Sequence, residues 1–239
     1  MFSLSSCSPA ARRGLVSRAI LFAAASSSTP PLGQDLSELF ALYHPPKFRD
    51  APLGKDASPQ PMDRLKPRGE VHRDGDWHRS VHVWLVDDED RLVLQRRSEH
   101  KDTHPGLLDV SCAGHITGND AVIETAVREL EEELGISLPA ETLEASWLCT
   151  LPSSMTGETK HGKFVCNEFQ EVFLVEGAIS GSDVESLSLG ADEVAGVELV
   201  DAADVLAAWD GGDSAYVPRG APYRRVLGAA LGFFPSGGW

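Results

Sequence analysis

The stretch "GHITGNDAVIETAVRELEEELGI", residues 114–136, carries an unusual concentration of acidic side chains. It places six acidic side chains and one arginine in 23 positions, and four of the acids lie within residues 129–133. Like charges one helical turn apart repel each other, at a cost of roughly 0.2–0.5 kcal/mol per pair. A run of this kind is usually a solvated helix face. It becomes favourable where a cation binds among the carboxylates.

The segment has the periodicity of an amphipathic helix. With about 100° of rotation per residue, one apolar stripe about 40° to either side of Ile123 faces the core. The stripe consists of Ile123, Val127, Leu130 and Leu134. Glu129, Glu132 and Glu133 share a flank away from this stripe. Arg128 precedes Glu132 by one turn and can pair with it.

The carboxylate flank predicts a metal site. Three carboxylates on one side suit a hard divalent cation such as Mg²⁺. The loop "AGHITGN" leads directly from a predicted strand into the helix, so its backbone groups can approach the same ion.

These residues resemble the signature of the Nudix hydrolases, with every spacing kept. The matching positions are Gly114, Asp120, Arg128, Glu129, Leu130, Glu132, Glu133, Gly135 and Ile136. Asp120 stands where the family usually has glutamate, and we assign it to the loop or the helix start. Nine positions at fixed spacing are a specific signal.

The resemblance implies hydrolysis of a diphosphate with Mg²⁺ or Mn²⁺ as cofactor. Its metal ligands are Glu129, Glu132 and Glu133, with the Gly114 carbonyl as a further candidate. One of these glutamates, Glu132, can instead act as the general base, and Glu168 is the alternative base. Arg128 completes the catalytic set.

Three further stretches resemble the branch that contains isopentenyl diphosphate isomerases and their hydrolase relatives. They are "KPRGEVHRDGDWHRSVHVW", "LQRRSEHKDTHPG" and "CNEFQEVFLVEG", and the resemblance covers residues 66 to about 225. We place His78 and His115 at the substrate site. Arg96, Arg97 and Lys101 are candidate phosphate ligands because guanidinium forks match phosphate geometry. The alternative for these three is a basic strand end on the surface.

The isomerase chemistry needs residues that this chain only partly has. The isomerase carries a cysteine directly before its Gly-His pair, whereas Ala113 stands there in this chain. Cys112 is one position earlier and, by strand alternation, points to the opposite face. In the isomerase-type metal site, Cys166 replaces one glutamate and Val71 takes the place of the leading histidine, with His72 adjacent.

We therefore predict a Nudix-type hydrolase acting on a small organic diphosphate, either an isoprenoid diphosphate or a nucleoside diphosphate derivative. Isopentenyl diphosphate isomerase is the alternative. A non-enzymatic scaffold is a third possibility. The intact run of glutamates argues against a scaffold.

Length and composition limit the size of the core, the partners and the compartment that this chain can have. The 239 residues, 42% of them hydrophobic, suffice for one sizeable core. A net charge of −15 argues against nucleic acid as a partner. No apolar run approaches the roughly 20 residues that span a membrane. Four cysteines without a Cys-x-x-Cys pair suit a reducing compartment. The oligomeric state cannot be predicted.

The chain divides into three parts. Residues 1–34 contain three arginines and no acid, which is typical of an organelle transit peptide for a plastid or mitochondrion. The alternatives are a secretory signal and a terminus that is merely disordered. The alternative location is the cytoplasm. Residues 35–65 form an extension with a proline-rich linker, and 66–236 form the Nudix domain.

The order of elements predicts an α/β fold, a Nudix-type α/β/α sandwich with a mixed sheet. Strands are predicted at 78–86, 91–97, 107–115, 143–151, 163–177 and 193–201, with helices at 202–209 and 223–234. The first two strands form a hairpin around "DDED". Residues 36–43 are a short strand or helix, and 44–67, with six prolines, are predicted to be loop.

Overall fold

The computed structural model describes residues 19–20, 35–49, 51–55 and 57–234. Its strands are β1 Ala19–Ile20, β2 Leu39–Tyr43, β3 Pro61–Pro67, β4 Trp77–Val86, β5 Arg91–Arg97, β6 Leu108–Asp109, β7 Cys112–His115, β8 Trp147–Thr159, β9 Gly162–Glu176 and β10 Val194–Asp201. Its helices are α1 Arg68–Asp74, α2 Val122–Leu134, α3 Ala140–Ser146, α4 Ala202–Gly211 and α5 Ala221–Ala230, with a 3₁₀ turn at Asp183–Ser186. Most of the predicted transit segment 1–34 lies outside the described residues.

The described strands form one mixed sheet with β4 at its centre. Strand β9 runs parallel to β4, while β5, β7 and β2 pair with β4 in the antiparallel sense. Strand β8 extends the sheet beyond β9, and β10 extends it beyond β5. The predicted mixed sheet is confirmed.

Alternating side chains of β4 supply two apolar cores, one on each face of the sheet. Val81 and Val83 pack with Leu130 and Leu134 of α2. On the other face, Trp84 packs with side chains of α4 and α5. A strand buried on both faces needs apolar residues at successive positions, which the sequence of β4 provides. Helices therefore cover both faces, as predicted for an α/β/α sandwich.

Several element predictions are confirmed and others are wrong. The hairpin of β4 and β5 forms around "DDED" as predicted. The predicted loop is wrong for 61–67, which form β3; its two prolines stand at the first and last positions, where a missing donor interrupts least. The predicted strand 143–151 is wrong at its start, because α3 continues through Ser146. Helix α1 was missed altogether. None of the described helices has the length and apolar character to cross a membrane.

Strand β2 ties the N-terminal extension to the domain. Phe40 is fully buried, and its ring stacks on His78 and His115 with centroid distances of 5.2 and 4.8 Å. The extension therefore supports His78 of β4 and His115 of β7.

Replacing Phe40 with alanine should lower the free energy of unfolding by about 3–5 kcal/mol, because the truncation opens a cavity under two histidine rings. Urea unfolding measures the loss. Phe48, in the same extension, is 64% exposed, and Phe48→Ala should change the stability by no more than about 0.5 kcal/mol. Equal effects of the two substitutions would contradict a structural role for the extension.

Candidate functional site

A cavity of about 1070 Å³ lies between α2, the sheet and the N-terminal extension. Its walls combine the predicted carboxylates of α2, side chains from β4, β7 and β9, the loop that follows β5, and the segment that precedes α5. Most of the predicted site residues line it. They are Arg97, Lys101, Gly114, His115, Glu129, Glu132, Glu133 and Glu168.

The three carboxylates of α2 have different surroundings. Glu133 is 2% exposed and accepts hydrogen bonds from Gln95 Nε2 (3.0 Å) and the Ala113 amide (3.2 Å). The side chain of Glu132 is 60% exposed and pairs with Arg128 at 3.2 Å. Arg128 also lies 3.0 Å from an oxygen of Glu129. One guanidinium thus bridges two of the three predicted metal ligands.

Glu129 packs directly over Gly114. A Cβ added to this glycine would lie 2.1 Å from the Glu129 Cδ, well inside the contact distance. Only a glycine permits this approach of a carboxylate to the backbone of β7. Two residues of the signature, Gly114 of β7 and Glu129 of α2, are therefore in direct contact.

The buried carboxylates fit a divalent cation. Burial raises the pKa of Glu129 to about 7, and the neighbouring Glu133 adds to this shift. Burial likewise raises the pKa of Glu133, which Lys101 partly offsets. The charged forms of both carboxylates are disfavoured because too little positive charge lies near them. A divalent cation would supply that charge. The donor set consists of oxygens only, which is what Mg²⁺ and Mn²⁺ prefer.

The remaining signature residues support the helix. Leu130 is fully buried in the core, and Ile136 packs against it. Gly135 ends α2 in the left-handed conformation at φ 68°, where its amide bonds the Glu131 carbonyl. Asp120 is exposed and donates its amide to the Thr117 carbonyl in the loop before α2. It does not line the cavity.

A second group of ligand atoms lies at another part of the cavity wall, where His72, His115 and Cys166 line the cavity and His78, predicted at the substrate site, is fully buried and does not line it. His72, His78, His115 and Cys166 each offer one ligand atom, and all four atoms lie within 4.8 Å of one another. Glu168 accepts a hydrogen bond from Cys166 Sγ at 3.0 Å, and its Oε1 lies 3.1 Å from His115 Nε2. Imidazoles and a thiol are suitable ligands for a transition metal.

Burial keeps His72, His115 and Cys166 in the uncharged state. It lowers the pKa of His72 to about 4, and His78 adds to the shift. Burial also lowers the pKa of His115 well below its ordinary value and raises the pKa of the Cys166 thiol.

The predicted phosphate ligands separate in the structure. Arg96 lies outside the cavity wall and pairs with Glu198, because successive side chains of β5 point to opposite faces. Arg97 lies in the wall but donates to Asp109 and to the Thr103 carbonyl. Lys101 also lies in the wall and pairs with Glu193. Their contacts with phosphate stay a prediction.

The cysteine before the Gly-His pair is turned away from the cavity. Cys112 is fully buried in the core beneath α2, and burial raises the pKa of its thiol. Ala113, which pairs with His82 of β4, lines the cavity in its place. Strand alternation predicts this arrangement from the sequence.

Several cavity residues were missed. Glu193, Asp109, Arg219 and Tyr223 line the wall, and no spacing in the sequence connects them. His82 also lies in the wall, with 4% exposure. The alternation along "HRSVHVW" was the available signal, since it places His78, Ser80 and His82 on one face.

Comparisons with known proteins agree on one family. A family model described as the NUDIX domain matches residues 76–219. The chain is 44% identical over 154 residues to Nudix hydrolase 3 of Arabidopsis thaliana, covering 64% of this chain and 19% of that protein. It is 38% identical over 136 residues to an uncharacterized Nudix hydrolase of Clostridium acetobutylicum, and the match covers 55% of this chain and 61% of that protein. This chain thus spans less than two thirds of either relative.

A solved structure of a Deinococcus radiodurans protein is 20% identical to this chain, with a TM-score of 0.47. The alignment covers 79% of this chain and 97% of the Deinococcus chain.

Proposed function

The chain belongs to the Nudix family, and on that premise we propose that it hydrolyses the diphosphate linkage of a small organic diphosphate with Mg²⁺ or Mn²⁺. The substrate is an isoprenoid diphosphate or a nucleoside diphosphate derivative. The observation that carries the proposal is the contact of Glu129 with Gly114, which directs the carboxylate flank of α2 into the cavity.

Glu129, Glu132, Glu133 and the Gly114 carbonyl would hold the ion. When bound, the ion supplies charge neutralisation at the phosphoryl oxygens and lowers the pKa of a water. Glu133 is fixed in place by Gln95 and the Ala113 amide, so little reorganisation is needed on binding. Lys101, held in the cavity wall by Glu193, offers its ammonium to the phosphate oxygens.

Glu132 acts as general base. Its exposed carboxylate takes the proton from the attacking water as the new bond to phosphorus forms and the bridging P–O bond breaks. Arg128 orients this carboxylate through the 3.2 Å contact. Glu168 is the alternative base, but Ser80 and Gln170 donate to one of its oxygens, while Cys166 and His115 contact the other.

The group of His72, His78, His115, Cys166 and Glu168 favours isomerisation as the second candidate function. It retains most of the isomerase-type metal ligands, with His72 taking the part of the leading histidine. Ala113 argues against it, because the cavity has no thiol at the position that exchanges protons with carbon in the isomerase.

Incubation of the purified chain with isopentenyl diphosphate and Mg²⁺ separates these functions. We expect released phosphate without the allylic isomer, and EDTA should abolish the release. Isomer without phosphate would establish the isomerase instead. A parallel panel of nucleoside diphosphate sugars and oxidised nucleotides identifies the organic part of the substrate. Neither product with any compound would contradict the proposed enzyme.

A further inference from the structure

We propose that Arg219, together with His82, forms an anion-binding subsite in the cavity wall. This inference rests on the proposed function for its substrate class, and it extends the site beyond the signature residues. Arg219 immediately precedes the turn into α5, and His82 lies on the cavity-facing side of β4.

The buried charges around Arg219 do not balance. Arg97 and Arg219 both pair with Asp109, so two guanidinium groups share one carboxylate. The side chains of both arginines are 11% exposed and that of Asp109 is 5% exposed. Asp109 is ionised, since the two arginines overcome burial and hold its pKa well below the ordinary value. These three side chains therefore keep one positive charge beside the cavity, which the more distant carboxylate of Glu168 offsets only in part.

Some hydrogen-bond donors of Arg219 have no acceptor among the described residues. Arg97 uses its donors on Asp109 and the Thr103 carbonyl. Arg219 bonds Asp109 through Nη2, and its buried Nε finds no acceptor among the described residues. A buried guanidinium with unused donors is costly unless an acceptor joins it. The Nε is closed off from the cavity, whereas Nη1 is not and makes no hydrogen bond with the described residues. A phosphate or carboxylate oxygen in the cavity would supply an acceptor for Nη1.

His82 adds a second donor at the same place. The Tyr223 hydroxyl receives the indole N–H of Trp84 at 2.9 Å and lies 3.0 Å from His82 Nδ1. The tryptophan can only donate, so the hydroxyl keeps its own proton for Nδ1, and we assign the tautomer in which the imidazole hydrogen sits on Nε2. Burial and Arg219 lower the pKa of His82 to about 4, so the ring is neutral and presents one N–H.

The ligand is an anionic group with two or more oxygens, which matches the planar fork of Arg219. It has two possible sources in an organic diphosphate. One is the phosphate that lies further from the carboxylates of α2. The other is a separate phosphate or carboxylate on the organic part of the substrate.

Titration of the purified chain with inorganic phosphate in EDTA tests the subsite without metal and without turnover. We expect the wild type to bind phosphate and Arg219→Gln to bind it about tenfold more weakly or worse, because a charge-assisted bond is lost. Asp109 keeps Arg97 in this variant, so the fold should persist, which thermal unfolding checks. Arg224→Gln is the matched control, since Arg224 lies on α5 outside the cavity wall and pairs with Asp210. It should bind phosphate like the wild type.

Two methylene-bridged ligands then identify the source of the anion. One is an alkyl diphosphonate without another charge, and the other is a nucleoside derivative with a separate phosphate. Weaker binding of both by Arg219→Gln assigns the subsite to the diphosphate; weaker binding of the second alone assigns it to the organic part. Unchanged phosphate binding in Arg219→Gln, no binding by the wild type, or an equal loss in Arg224→Gln would overturn the subsite. Because no hydrolysis is measured, these results stand apart from the fate of the proposed enzyme.

Discussion

Glu132→Gln should reduce turnover by about 10²–10⁴-fold while leaving the stability of the protein unchanged. The substitution removes the negative charge that would ligate the ion and the group that accepts the proton from water. The side chain of Glu132 is 60% exposed, and its described partner is Arg128 on the same helix, so the folded state loses one surface ion pair. Steady-state kinetics against Mg²⁺ concentration measures the loss, and thermal unfolding checks the fold.

Glu131→Gln is the matched control for this experiment. Glu131 is the exposed residue one position earlier on α2, and it does not line the cavity. The same change of charge there should leave turnover near the wild-type value. Similar losses in the two variants would point to the net charge of the helix rather than to a ligand or base. Full activity of Glu132→Gln would remove Glu132 from the mechanism and leave Glu168 as the candidate base.

Gly114→Ala should reduce turnover by about 10²-fold, although it adds only one methyl group. The new Cβ would lie 2.1 Å from the Glu129 Cδ, so the carboxylate must move away from β7. Displacement by about 1 Å is enough to disrupt a preorganised site. Calorimetry should show weaker Mg²⁺ binding in this variant, because Glu129 is one of the proposed ligands.

Gly211→Ala controls for the added methyl group itself. Gly211 ends α4, and a Cβ there meets no atom within 4 Å. We expect wild-type turnover and unchanged Mg²⁺ binding for this variant. If Gly114→Ala keeps both properties as well, Glu129 does not need its place against β7. That result would remove the support that the contact of Glu129 with Gly114 gives to the proposed function.

The sequence predicts much of the fold because the decisive signals are local. The apolar stripe of α2, the "DDED" hairpin and the alternation that turns Cys112 away each depend on residues within a few positions of one another. The same signals fail where a segment depends on distant partners. Residues 61–67 resemble a loop by their prolines, yet pairing with β2 makes them a strand.

The carboxylate helix, the glycine-bearing segment before it and the family can all be predicted from the amino-acid sequence, since they depend on one short segment with fixed spacing. The tertiary structure alone decided which side chains share the cavity wall. Parallel pairing of β9 with β4 places Glu168 opposite His78, 90 positions away in the chain. Arg219 reaches Asp109 across a similar separation. Such contacts follow from packing on both faces of the sheet, which fixes strand order and register and leaves no periodic trace in the sequence.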